Sequence, residues 1–126
     1  MLRGVHHIAL RAVDFEKSYA YYTQVLGMKE IAAWGEGDGR ACMLDCGGSC
    51  IELFAGGKTI AQGGAWFHLA LRTDDPDAMY KKSLDAGLKT QMEPKDVAIP
   101  SEPVLNVRIA FVVGYDGEVL EFFKEL

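Results

Sequence analysis

Two histidines and two glutamates recur in this chain at matched places. Together they are a ligand set for a divalent metal. His7-Ile8-Ala9-Leu10-Arg11 reappears 61 residues on as His68-Leu69-Ala70-Leu71-Arg72. Cys50-Ile51-Glu52-Leu53-Phe54 has its counterpart in Val119-Leu120-Glu121-Phe122-Phe123. Internal periodicity of this kind marks a repeated structural unit and is sought before single elements are assigned. Two imidazoles and two carboxylates fill four positions of a roughly six-coordinate cation. Two positions remain for water or for adjacent substrate oxygens.

Strands must position these groups. Successive strand side chains point to opposite faces. Ile8 and Leu10 therefore oppose His7, Ala9 and Arg11. Phe67, Leu69 and Leu71 oppose Trp66, His68, Ala70 and Arg72. Glu52 opposes Ile51 and Leu53, and Glu121 opposes Leu120 and Phe122. Each strand so presents one apolar face suited to packing on helices, and one mixed face holding His or Glu. Four mixed faces around a common concavity would gather the four ligands. Arg11 and Arg72 share those faces, either as rim charges or as forks for a substrate carboxylate. Trp66 and Phe123 lie there too, as candidate pocket walls. His6 points away from His7, as a supporting or core-edge histidine.

The remaining punctuation gives each half the plan βαβββ. Strand 4–11 is followed by an N-cap at Asp14. Phe15, Tyr19, Tyr22 and Leu26 fall at helical spacing over 15–26, with Gly27 as the stop and the two tyrosines as core. Strands follow at 28–34, 40–45 and 49–54. Module 1 thus spans 4–54, a glycine-rich linker 55–64, and module 2 spans 65–126 of a single domain. In module 2 a strand covers 66–72. Asp75-Pro76 opens a helix that Gly87 ends, and a strand covers 88–92. Residues 93–106 hold three of the four prolines and are expected to be a long loop. A hairpin over 107–123 closes the module.

Bulk properties exclude several classes. The 126 residues suffice for one core, and 49% hydrophobic with 25% charged content is ordinary for a globular chain. A net charge of -5 argues against nucleic acid and anionic membranes as partners. No apolar run approaches the ~20 residues of a membrane span, and no leader precedes His7, so a cytoplasmic location is expected. Cys42, Cys46 and Cys50 are odd in number and read as reduced thiols.

The residues HHIALR at 6–11, DFEKSYAYYTQVLGMK at 14–29, FHLALRTDD at 67–75 and RIAFVVGYDGEVLEFF at 108–123 resemble the vicinal oxygen chelate superfamily. That group includes glyoxalase I, methylmalonyl-CoA epimerase, extradiol dioxygenases, and fosfomycin and bleomycin resistance proteins. The resemblance covers essentially the whole chain. It implies an α+β fold of two tandem βαβββ modules, their curved sheets forming a half-barrel around a metal site. His7, Glu52, His68 and Glu121 match the ligand positions, and His-Glu-His-Glu is the glyoxalase I pattern. Arg108 is placed near the site by the same resemblance. Ala55-Gly56-Gly57 stands where bacterial glyoxalase I carries an Asn, and GYDG stands where DPDG is usual.

The expected activity is a metal-dependent lyase or isomerase of glyoxalase I type, similar to lactoylglutathione lyase. Its substrate would be the hemithioacetal of a small oxoaldehyde and a thiol, with proton transfer via a metal-bound enediolate. Glu121 or Glu52 would be the base. The cation could be Ni, Zn, Co, Mn or Fe, and a homodimer is expected because curved sheets leave edges to cover. Three alternatives stand beside this. One is an Fe(II) extradiol-type dioxygenase using His7, His68 and Glu121, against which Glu52 argues by occupying a position oxygen needs. The others are a CoA-ester epimerase and a metal-free small-molecule-binding or resistance protein.

Overall fold

The computed structural model describes residues 1, 3–58 and 68–126. The chain divides into two compact units, Met1–Ile60 and Ala61–Leu126. Among the described residues each carries one α-helix and one four-stranded mixed sheet, so the α+β class with two tandem modules holds.

In the first unit β1 (His7–Arg11) leads to α1 (Phe15–Ala20), then β2 (Lys29–Trp34), β3 (Ala41–Asp45) and β4 (Cys50–Phe54). The sheet order is β1-β4-β3-β2, with β1 parallel to β4 and the other pairs antiparallel. Asp14 caps α1 by accepting the Lys17 amide at 3.1 Å. The helix is not regular to Leu26. Tyr21–Val25 form a wider turn, in which the Leu26 amide reaches back to the Tyr21 carbonyl at 3.0 Å. The wider turn brings neighbouring residues angularly closer, and Tyr21 and Tyr22 are both buried. Alternation holds along β4, where Ile51 and Leu53 are buried and Glu52 is not. Along β1 it holds only in direction. This is an outer strand, and Ile8 stays 46% exposed, so its apolar face is not buried as expected.

The start of the expected linker belongs to this unit. The Ala55 amide donates to the Arg40 carbonyl at 2.9 Å and the Gly57 amide to the Ala12 carbonyl at 3.0 Å. A Cβ at Gly57 would lie 2.7 Å from that Ala12 oxygen, so the close approach requires glycine. Residues 59–64 of the stretch lie outside the described residues.

In the second unit β5 (Leu69–Arg72) leads to α2 (Pro76–Asp85), β6 (Lys89–Ile99), β7 (Leu105–Val113) and β8 (Val119–Glu125). The order is β5-β8-β7-β6, with β5 parallel to β8. Asp75 caps α2 through the Ala78 amide at 3.0 Å, with Pro76 in the first turn. The helix packs on β6, β7 and β8. On the face that Arg108 shares, Ala110 and Val112 of β7 and their partners Phe122 and Leu120 of β8 are buried. The long loop expected over 93–106 is not there. β6 runs to Ile99 and β7 begins at Leu105. Pro94 was the misleading residue. It sits where the β6–β7 register breaks between Met92 and Lys95, on an outer strand, so its missing N–H costs no ladder bond.

Candidate functional site: two histidine–glutamate pairs

Each unit brings its own histidine and glutamate together by the same register. In the first, β1 runs parallel to β4 with Ala9 opposite Glu52. His7, two residues before Ala9, therefore shares a face with Glu52. Its Nε2 lies 2.9 Å from Glu52 Oε2. In the second, Ala70 is opposite Glu121, and His68 stands two residues before Ala70. His68 Nε2 lies 3.2 Å from Glu121 Oε2. The carboxylates are the more enclosed partners, at 15% and 9% side-chain exposure against 40% for His7 and 31% for His68.

These separations can be tested against a cation. Two ligands at right angles, each about 2.1 Å from a metal, stand about 3.0 Å apart. Both pairs match, and both use Nε2. With a proton in place of the cation, the same spacing is an Nε2–H donating to a carboxylate. The residues thus fit as adjacent ligands, two per unit. Among the described residues, neither unit adds a third His, Cys, Asp or Glu to make a larger metal-holding group.

The glutamates differ electrostatically. Burial pushes the Glu121 carboxyl above its ordinary 4.5, and the neighbouring His68 opposes that rise. Phe111 contributes to the enclosure. It pairs with Glu121 across β7–β8, and its ring meets His68 edge-on at 5.4 Å. A carboxylate with raised proton affinity is a better base near neutral pH.

The other residues expected at the site fall as follows. Arg11 is on the His7 face, its guanidinium 5.4 Å from the Phe54 ring centre, with Nη1 donating to the Ala55 carbonyl at 3.1 Å. Arg72 and Phe123 are opposite one another, two residues beyond the Ala70–Glu121 pair and on the same face. Trp66 lies outside the described residues. Arg108 is a correction. Its guanidinium grips Asp77 of α2 through Nε and Nη2 at 2.5 and 2.7 Å, and Asp96 of β6 through Nη1 at 2.9 Å. It is a clamp between helix and sheet, because it alternates with Ile109 and so faces α2.

Phe111 and two further aromatic residues escaped sequence reasoning. Phe54 is two residues beyond Glu52 and hence on its face, and it is the repeat counterpart of Phe123. That signal was available. Trp34 meets Phe54 edge-on at 6.3 Å and is 43% exposed. Its place depends on the pairing of β2 with β3, Trp34 opposite Ala41 and Ala41 opposite Phe54, which no local pattern states. His6 does not point away from His7 but stands against it, as a supporting histidine would. It precedes the regular strand, and its Nδ1 lies 2.9 Å from His7 Nδ1. The three cysteines are free thiols, and burial pushes that of Cys42 up to about 11.

Comparison with known proteins identifies the family. The chain is 28% identical over 133 residues to the uncharacterized protein YwkD of Bacillus subtilis (strain 168), covering 99% of each. Its fold matches a V278E mutant of glyoxalase I from Zea mays with a TM-score of 0.77 and 25% identity, over 94% of this chain and 43% of that one. It also matches FosX, a genomically encoded fosfomycin resistance protein from Listeria monocytogenes, with a TM-score of 0.75 and 17% identity, over 98% and 93%. A family model covers residues 4–101. The duplicated βαβββ unit and this match lead to one conclusion: the chain belongs to the Glyoxalase/Bleomycin resistance protein/Dioxygenase superfamily.

Proposed function

We propose that the chain is a metal-dependent lyase of glyoxalase I type, acting as a homodimer in the cytoplasm on the hemithioacetal of a small oxoaldehyde and a thiol. His7, Glu52, His68 and Glu121 would hold one divalent cation (Ni, Zn, Co, Mn or Fe), from one chain or from two copies. The observation that carries this reading is the repeated pair: the same register, the same Nε2, and separations of 2.9 and 3.2 Å that suit adjacent ligands. When bound, the cation supplies Lewis acidity toward two adjacent substrate oxygens.

The chain's own residues supply the rest. Glu121 takes a proton from the carbon beside the substrate carbonyl and returns it to the next carbon. Its burial raises its proton affinity toward that task. Glu52, less enclosed, remains the alternative base. Arg11 and Arg72 orient a substrate carboxylate from the ligand face. Phe123 beside one pair, and Phe54 with Trp34 beside the other, would supply apolar surface that excludes water, the role proposed for Trp66 as well.

The test is metal analysis of the purified protein, then turnover of a hemithioacetal in deuterated water without oxygen. About one cation per chain and oxygen-independent turnover support the lyase reading. A strict oxygen requirement moves the extradiol-type alternative ahead. Failure to retain any offered cation, with small-molecule binding intact, identifies a metal-free binding protein.

A further inference from the structure

We infer that His6 is a positioning residue for His7, holding its ring through a hydrogen bond whose direction reverses when a cation is bound; this rests on the metal-site reading above. The His7 side chain is 40% exposed, so packing does not fix its ring. Two contacts do. Nε2 faces Glu52 Oε2 at 2.9 Å and Nδ1 faces His6 Nδ1 at 2.9 Å. The imidazoles are nearly perpendicular, at 88°, with centres 5.2 Å apart.

A neutral imidazole carries one proton, and this fixes the logic. While Nε2–H donates to Glu52, Nδ1 is bare and accepts from His6 Nδ1–H. Once Nε2 binds a cation its proton moves to Nδ1, which then donates to His6 Nδ1. His6 must now carry its own proton on Nε2. An outer partner that both donates and accepts serves both states, and such partners orient metal-ligating histidines. The second repeat carries a different residue at the matching position. Phe67 precedes His68 in sequence, and the His68 ring is braced edge-on by Phe111 at 5.4 Å.

The experiment uses the full chain with zinc as probe, two variants and imidazole nitrogen NMR. His6→Phe copies the residue of the second repeat and removes the partner. His6→Asn keeps a group that donates and accepts. His6→Phe is expected to weaken zinc binding about 10–100-fold, measured by chelator competition, with the melting temperature of the zinc-free protein unchanged. His6→Asn recovers most of that loss. In the wild type, zinc is expected to move the His7 proton from Nε2 to Nδ1 and the His6 proton from Nδ1 to Nε2. Equal zinc affinity of His6→Phe and wild type overturns the inference alone, as does a His6 tautomer that zinc leaves unchanged. A wild type that holds no zinc or other divalent cation overturns the metal reading and the inference with it.

Discussion

Replacing Leu53 by Ala tests which face of β4 is core and which is site. Leu53 is fully buried and sits in register between Leu10 of β1 and Cys42 of β3. The substitution removes three carbons, about 2.4 kcal/mol of transfer free energy at ~0.8 kcal/mol per methylene. The cavity left behind raises the loss to about 3–4 kcal/mol. For a chain of this length that lowers the melting temperature by about 10–15 °C. The partner experiment is Glu52→Ala, one residue away on the opposite face. Its pair with His7 is partly exposed, so its loss costs at most about 1 kcal/mol. Both are measured by urea unfolding with a chelator present, because a bound cation would add its own stabilisation. The m-value should stay constant. If Leu53→Ala costs under about 1 kcal/mol while Glu52→Ala costs more than about 3, the faces are reversed. His7, Arg11 and Phe54 would then lie on the core side, and the site as described would be wrong.

Other outcomes follow from the same geometry. Glu121→Gln should fold normally and lower kcat about 10²–10⁴-fold, as loss of a general base does; unchanged turnover of a hemithioacetal would transfer the role to Glu52. The Arg108 guanidinium holds the Asp77 carboxyl below its ordinary 3.8 by hydrogen bonding. Asp77 therefore contributes stability above that value and loses it as pH falls through the lowered one. In Arg108→Ala, thermal unfolding followed from pH 5 to pH 2 should show a shallower acid loss than in wild type. With its thiol near 11, Cys42 should be the last of the three cysteines to react with Ellman's reagent at pH 8, and should react promptly once urea unfolds the chain.

The repeat made the fold legible. Strand motifs, capping aspartates and stop glycines that recur in the same order in both halves place eight strands and two helices, and the structure keeps that order. The two His–Glu pairs were legible in part: alternation puts each His and each Glu on the mixed face of its own strand, and the parallel register of β1 with β4 and of β5 with β8 then sets them side by side. Sequence read poorly where pairing decides. Nothing near Trp34 in sequence says that Ala41 will carry it toward Phe54. Arg108 looked like a site residue because resemblance ignores that Asp77 and Asp96 are within reach to engage it. Pro94 suggested a loop because proline forbids a central strand, but which strand is outermost is a property of the whole sheet. The turn at Tyr21–Val25 has no propensity signal of its own and follows from burying two adjacent tyrosines.

The interruption of β6 has a consequence beyond local geometry. At eleven residues it is the longest strand, and it forms the outer edge of its sheet. A flat open edge of that length would template the addition of another chain and seed insoluble assemblies. Here Pro94 offers no donor, the register breaks around Met92, and the exposed Lys89, Glu93 and Lys95 set charges along the strand. The stretch that reads least like a strand is therefore also what keeps the sheet from growing. Pro94→Val would make β6 a more regular strand and the protein a less soluble one.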